Sequence, residues 1–121
     1  MNIQAVFWVF IGGGTGSVLR YLIGLFQKSL IPSNLPIGTF LANMLACFVM
    51  AGWIRFQPSG FAQEQYKLLL LTGFCGGLST FSTFSMESIA LFRSGQIQWA
   101  IANILINLIV CLGLLMWGIR K

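Results

Sequence analysis

Charged residues are scarce in this sequence, and histidine is absent altogether. Of 121 residues only 7% are charged, with seven Lys or Arg and two acidic residues, while 57% are hydrophobic. A soluble domain carries about 25% charged residues, so the composition excludes an ordinary soluble protein. We expect an all-α integral membrane protein that forms a single transmembrane domain over residues 1–121.

The missing residue types also limit the chemistry. Cys47, Cys75 and Cys111 fall inside apolar segments without a CxxC spacing, so neither a disulfide framework nor a transition-metal site is indicated. The cations stand singly near predicted helix ends rather than in a cluster with aromatics, which argues against nucleic acid as a partner. Because the sequence contains no constellation typical of a catalytic site, we expect no enzyme activity.

Four apolar segments are long enough to cross a bilayer, which takes about 20 residues per helix. The predicted spans are residues 3–26, 36–56, 66–92 and 97–119. Short loops rich in Pro, Gly, Ser or Asn join them at 31–36, 57–60 and 93–96.

The third span contains the most unusual stretch of the chain. Gly73, Gly76 and Gly77 place three glycines within five residues, which opposes a continuous helix and predicts a break near residues 73–79. Hydroxyl residues and Glu87 follow at a depth where polar groups are costly and usually functional. Interrupted membrane helices commonly form ion sites. We expect Ser79 or Thr80 to be the N-cap of the second half-helix.

From the residues alone, the use of this interruption stays open. Backbone carbonyls between Gly73 and Leu78, freed from helical pairing, would bind a hard cation such as Na⁺ if two copies crossed antiparallel there. The alternative is a glycine-rich crossing that holds no ion. Phe81 and Phe84 would either present electropositive ring edges to a small anion or simply pack in the core.

Two polar stripes accompany the interrupted span. Thr39, Asn43 and Cys47 recur every four residues on the second span, and therefore share one helix face. Asn103, Asn107 and Cys111 repeat this pattern on the fourth span. Each stripe either forms hydrogen bonds between helices or lines a pore, and together they favour a hydrated path.

The first span and the charge distribution indicate how helices associate. Gly12, Gly16 and Gly24 form a small-residue face that allows close packing between helices, and Arg20 on the same stripe is expected to have a structural part. Alternating loops place four cations on one side and two or three on the other. Those cations are Arg55, Lys67, Arg120 and Lys121 against Lys28 and Arg93, with Arg20 nearby. Such a weak bias favours insertion in both orientations, and oppositely oriented copies would pair as an antiparallel dimer.

Three motifs together identify a resemblance that covers nearly the whole chain. The run GGLSTFSTF at residues 76–84 resembles the signature of the small fluoride channels, the Fluc or CrcB family. GGGTG at 12–16, followed by Arg20 and Tyr21, looks like the first-helix motif of that family. GTFLAN at 38–43 looks like its second-helix motif, in the expected order.

The resemblance implies a fluoride-selective channel in the bacterial inner membrane, which exports fluoride passively as an antiparallel, dual-topology homodimer with two pores. It also implies a structural Na⁺ at the dimer centre, bound by the backbone carbonyls of Gly76 and Ser79 from each chain. Ser79 stands where the family commonly has Thr, a change that leaves a carbonyl role intact.

The resemblance also assigns the residues of the fluoride pore. Phe81 and Phe84 would be the ring pair, Asn43 the amide that contacts fluoride, and Ser82 and Thr83 a polar track toward Glu87. At the fourth-helix polar positions this chain has Asn103, Asn107 and Cys111, where the family is expected to have aromatic and hydroxyl residues.

Two other functions compete with this interpretation. A small four-helix multidrug exporter would need a membrane carboxylate and an aromatic cage for organic cations. Glu87 is the only candidate carboxylate, and hydroxyl residues surround it in sequence. A non-conducting membrane subunit held by its glycine faces is the second alternative.

Overall fold

The computed structural model describes residues 1–57, 60 and 63–120, and all regular elements within them are helical. Four stretches are long and apolar enough to cross a membrane: Ile3–Leu30, Ile37–Phe56, Gln63–Arg93 and Ile97–Ile119. The prediction of an all-α membrane protein with four spans is therefore confirmed. Pro58 and Ser59 of the predicted turn at 57–60 lie outside the described residues, as does Lys121.

Helix α1, Ile3–Leu30, is capped by Asn2, whose side chain accepts a hydrogen bond from the Gln4 amide at 3.0 Å. Gly12 and Gly16 are buried in the contact with the third span. A Cβ atom on Gly16 would overlap the Phe74 carbonyl oxygen, so the two backbones approach too closely for any side chain. The predicted close packing is confirmed at these two glycines.

The third span is assembled from several helical pieces. Helix α3, Gln63–Lys67, continues as a π-helical segment, Leu68–Cys75, and then as α4, Gly76–Leu78. Ser79 and Thr80 have extended backbones with ψ of 152° and 118°, and α5 follows as Phe81–Arg93.

The glycines of the third span are themselves helical, and the backbone leaves the helix only after them, at Ser79 and Thr80. Gly73 lies in the π-helical segment, and Gly76 and Gly77 lie in α4. A Cβ atom on Gly77 would overlap the Gly13 carbonyl oxygen of α1. The missing side chain is therefore needed for packing against α1 rather than for an unusual backbone conformation.

Helices α2, Ile37–Phe56, and α6, Ile97–Ile119, run parallel against each other. The Asn43 side chain contacts Asn107, and a Cβ atom on Gly118 would meet Ala51 at 2.7–3.0 Å. At the far end, Arg55 Nη1 donates to the carbonyl oxygens of Trp117, at 3.1 Å, and Arg120, at 2.6 Å. Arg55 thereby satisfies orphan carbonyls of the last turn of α6.

The interior of a single chain is small. Ala42, Ala46, Cys75 and Leu78 form its buried cluster, where α2 meets the third span. Many large apolar side chains remain exposed on the outside, including Phe10, Phe26, Ile109 and Phe81. An exterior of this kind suits lipid or a second protein surface rather than water.

Candidate functional site

The extended backbone of Ser79 and Thr80, which we call the interruption, redirects two backbone amides. The Thr80 N–H donates to Asn43 Oδ1 at 2.8 Å, and the Thr83 N–H donates to Thr80 Oγ1 at 3.2 Å. Thr80 is thus the N-cap of α5, and it is one of the two residues, Ser79 and Thr80, that were predicted for this role. In an unbroken α-helix these amides would pair with the carbonyls of Gly76 and Ser79. Both carbonyls therefore lose their helical donors.

A third carbonyl of this turn is paired with α1. The Gly77 carbonyl oxygen accepts hydrogen bonds from Arg20 Nε at 3.2 Å and from Ser17 Oγ at 3.4 Å. A cation at the C-terminal end of a half-helix also interacts favourably with the helix dipole. The structural part expected of Arg20 is confirmed, because it joins α1 to the end of α4.

A chain of side-chain hydrogen bonds, the amide relay, runs from the interruption into α6 and back to α5. The Thr80 N–H donates to Asn43 Oδ1 (2.8 Å), and Asn43 Nδ2 donates to Asn107 Oδ1 (3.3 Å). Asn107 Nδ2 then donates to Asn103 Oδ1 (3.0 Å), and Asn103 Nδ2 donates to Ser88 Oγ (2.9 Å). The Ser88 hydroxyl finally donates to the Phe84 carbonyl oxygen (2.8 Å). Three helices are joined by this relay at membrane depth.

The chemistry of the two ends fixes the direction of the amide relay. A backbone N–H can only donate, so Thr80 must face Asn43 Oδ1, and Asn43 Nδ2 then faces Asn107. A backbone carbonyl can only accept, so the Ser88 hydroxyl donates to Phe84 at the other end. Every amide between these ends has one allowed orientation. The second N–H of Asn43 Nδ2 is left over as a donor with a defined direction.

A cavity of about 260 Å³, the central cavity, lies beside this donor. Its lining residues come from α2, α6 and both sides of the interruption: Asn43, Cys47, Ser79, Thr80, Phe81, Phe84, Asn107, Leu108, Cys111 and Leu112. The rings of Phe81 and Phe84 have centroids 5.9 Å apart and planes tilted by 43°. Five residues predicted for the pore, Asn43, Phe81, Phe84, Asn107 and Cys111, are thus brought together here.

A second cavity of about 220 Å³, the vestibule, lies between α1, α2 and α5. Arg20, Lys28, Thr39, Thr83 and Glu87 are among its lining residues. Thr39 Oγ1 donates to Glu87 Oε1 at 2.8 Å. Glu87 Oε2 is buried and has no hydrogen-bond partner within the described part of the chain. The vestibule therefore combines two cations with a carboxylate that retains a free acceptor atom.

Two predicted pore residues lie outside the linings of both cavities. Ser82 is exposed, with its hydroxyl 3.4 Å from Thr80 Oγ1. Asn103 is buried within the amide relay and lines a separate, mostly apolar cavity of about 180 Å³ beside Phe40 and Trp99. The structure therefore places Asn103 behind Asn107, where it holds that amide.

The sequence interpretation missed three residues of this region. Ser88 ends the amide relay, Ser17 shares the Gly77 carbonyl, and Lys28 lines the vestibule. Ser17 follows Gly16 on the small-residue face, which was the available signal. Ser88 had no such signal, because its partner Asn103 is fifteen positions away on another helix.

Comparisons with known proteins agree on one family. The family described as "CrcB-like protein, Camphor Resistance (CrcB)" matches residues 7–119. A Klebsiella pneumoniae protein named "Fluoride-specific ion channel FluC" is 47% identical over 102 residues, which cover 84% of this chain and 80% of the relative. Proteins of the same name from Salmonella arizonae and Salmonella newport are 44% identical over 108 residues, covering 88% of this chain and 84% of each relative.

Proposed function

The chain belongs to the CrcB-like family, and we propose that it is a channel that conducts fluoride selectively and passively across the bacterial inner membrane. It is a multi-pass membrane protein and a transporter rather than an enzyme. The observation that supports fluoride as the ion is the central cavity, in which the Asn43 amide and two phenyl rings lie at the interruption of the third span.

The central cavity offers a small anion weak but well-placed donors. The amide relay leaves one N–H of Asn43 without an acceptor in the described part of the chain. The edges of the Phe81 and Phe84 rings carry positive partial charge. These groups replace part of the hydration shell without holding the ion tightly, which is what conduction requires.

The vestibule supplies the entrance to this path. Thr39 lines the vestibule and Asn43 lines the central cavity, and one turn of α2 separates them by about 6 Å. Arg20 and Lys28 raise the local concentration of anions at the entrance. Thr83 and Glu87, which line the vestibule, form the polar side of the route along α5.

The driving force needs no chemical coupling. Fluoride that enters a cell as neutral HF ionises inside, and an inside-negative potential then expels it. The available free energy is about 2.3 kcal/mol per charge for each 100 mV.

Two oppositely oriented copies form the channel in this proposal, with the interruption of the third span at their centre. Phe81 is 81% exposed in the single chain, although it lines the central cavity. Gly76 is also exposed, and a Cβ atom built on it meets no described atom within 4 Å. A second copy would cover this face and complete both cavities. The near balance of Lys and Arg between the two sides supports insertion in both orientations.

The proposal includes a structural Na⁺ on the same face. The Gly76 and Ser79 carbonyls have lost their helical donors to Asn43 and Thr80, and oxygen atoms of this kind suit a hard cation. These two carbonyls from each copy would hold the ion, whose charge would fix the crossing of the two interrupted helices. Replacing Na⁺ with N-methylglucamine during reconstitution should lower fluoride efflux.

No observation favours the multidrug exporter. Glu87 accepts from Thr39 and shares the vestibule with Arg20 and Lys28, whose positive charges disfavour an organic cation. No aromatic cage surrounds this carboxylate among the described residues that line the vestibule.

Efflux from proteoliposomes tests the proposed function. Vesicles loaded with fluoride or chloride are given a potassium ionophore, and the released halide is recorded with ion-specific electrodes. Rapid fluoride release with chloride retained is the expected result. Retention of both halides would support a non-conducting subunit, and equal release of both would refute selectivity.

A further inference from the structure

Two of the three cysteines line the central cavity from neighbouring helices. Cys47 lies on α2 and Cys111 on α6. They lie one turn beyond the Asn43–Asn107 contact, because both pairs are separated by the same 64 positions and the two helices run parallel. The thiol pair is therefore held by helix packing rather than by a loop.

The third cysteine is oriented differently. Cys75 is 1% exposed, and its thiol donates to the Ala46 carbonyl oxygen at 3.4 Å. It does not line the central cavity. The chain thus contains a cavity-facing pair, which we call the dithiol, and a buried cysteine that serves as an internal control.

We infer that the dithiol of Cys47 and Cys111 is a binding site for a soft, two-coordinate d¹⁰ cation, such as Ag⁺, Cu⁺ or Hg²⁺. Sulfur ligands select soft metals. No group of three or more His, Cys, Asp or Glu side chains is positioned to hold a metal within the described ranges. The described residues therefore offer no site for a cation that needs four such ligands. The dithiol therefore suits a cation that needs only two thiolate ligands.

Binding at the dithiol is a ligand exchange without oxidation. With mercuric chloride, two S–H bonds are lost and two Hg–S bonds form, while two protons and two chloride ions leave. The bound metal would lie in the central cavity beside Phe81 and Asn43. If the proposed function holds, it would therefore block the fluoride path.

Metal retention tests the site independently of conduction. The purified full-length chain is loaded with mercuric chloride, washed with excess N-acetylcysteine, and assayed for bound mercury. The wild type and Cys75→Ala should each retain a single mercury per chain. Cys47→Ser and Cys111→Ser should lose it, because a second tethered ligand strengthens binding by roughly 100-fold or more.

Equal retention in either serine variant, or loss in Cys75→Ala, would overturn the dithiol site. Cys47→Ala removes the thiol without adding a hydroxyl and should lose mercury as Cys47→Ser does. An unchanged elution volume on gel filtration shows that a variant is folded, so that its loss of mercury reports loss of the site. Fluoride efflux from mercury-treated vesicles, relative to each variant's own untreated rate, should fall in the wild type and Cys75→Ala only. Mercury retained by a chain that never releases fluoride would refute the proposed function and leave the dithiol site standing.

Discussion

The Asn43 amide is used at both of its ends. Its oxygen accepts from the Thr80 backbone and one of its N–H groups donates to Asn107, so a single substitution changes both the interruption and the central cavity. The remaining N–H group is a neutral donor that this cavity offers to an anion.

Asn43→Asp should abolish fluoride conduction. The carboxylate keeps the oxygen for Thr80 but removes both donors and places a negative charge where the anion passes. Like charges brought together cost several kcal/mol, which corresponds to a loss of about 100-fold or more in flux. Fluoride efflux from proteoliposomes measures the effect.

Asn34→Asp, on the exposed loop before α2, is the matched control and should conduct like the wild type. Normal efflux through Asn43→Asp would remove this amide from the fluoride path.

The two phenyl rings allow a second test at this scale. Phe81→Ile and Phe84→Ile remove the electropositive ring edges and keep apolar bulk, so fluoride flux should fall by roughly two- to tenfold, as expected for interactions of about 0.5–1.5 kcal/mol. Phe92→Ile, on the same helix but outside the central cavity, should leave the flux unchanged. If all three variants conduct equally, the rings have no part in passing the ion.

Helix packing at the element scale depends on backbone contact between α1 and the third span. Gly16→Ala would drive a Cβ atom into the Phe74 carbonyl oxygen, and overpacking of this kind costs about 1–3 kcal/mol. A lower midpoint of thermal unfolding in detergent is the expected result.

Gly14→Ala is the control on the same helix. A Cβ atom on Gly14 meets nothing within 4 Å among the described residues, and alanine is the better helix former by about 1 kcal/mol. This variant should therefore unfold at the wild-type temperature or above. Equal midpoints for the two variants would contradict the close approach of α1.

The sequence was sufficient to predict which elements form, but less so how their polar groups pair. Apolar length predicted the four spans, and the four-residue spacing predicted that Asn43 and Asn107 would face a common region. The three glycines predicted a break near residues 73–79, and the extended backbone lies at the end of that range, at Ser79 and Thr80, rather than at the glycines. Composition could not separate a glycine needed for packing from one needed for flexibility.

The amide relay was beyond sequence reasoning for a different reason. Its links join residues up to 64 positions apart, and the position of Asn103 behind Asn107 depends on how α5 crosses α6. The spacing of the fourth-span stripe left pore lining and hydrogen bonding between helices both open for Asn103, and its side chain is buried against Ser88. The Arg20 contact with Gly77 likewise required the packed structure.

At the scale of the whole molecule, orientation in the membrane is the testable property. A cysteine introduced at Asn34, in a chain with its three native cysteines replaced by alanine, should react with a membrane-impermeant maleimide from either side. About half of the molecules should be labelled from each side if the weak Lys and Arg bias leaves orientation undecided. Labelling from one side alone would refute the antiparallel dimer.

The central claim is that fluoride alone passes, down its own gradient, through the cavity at the interrupted third span. The most direct test is the reversal potential across a planar bilayer that contains this protein, with a tenfold fluoride gradient balanced by an opposite chloride gradient. The current should reverse near the equilibrium potential of fluoride, about 59 mV from zero for a single charge. Reversal at zero or toward the equilibrium potential of chloride would contradict the claim.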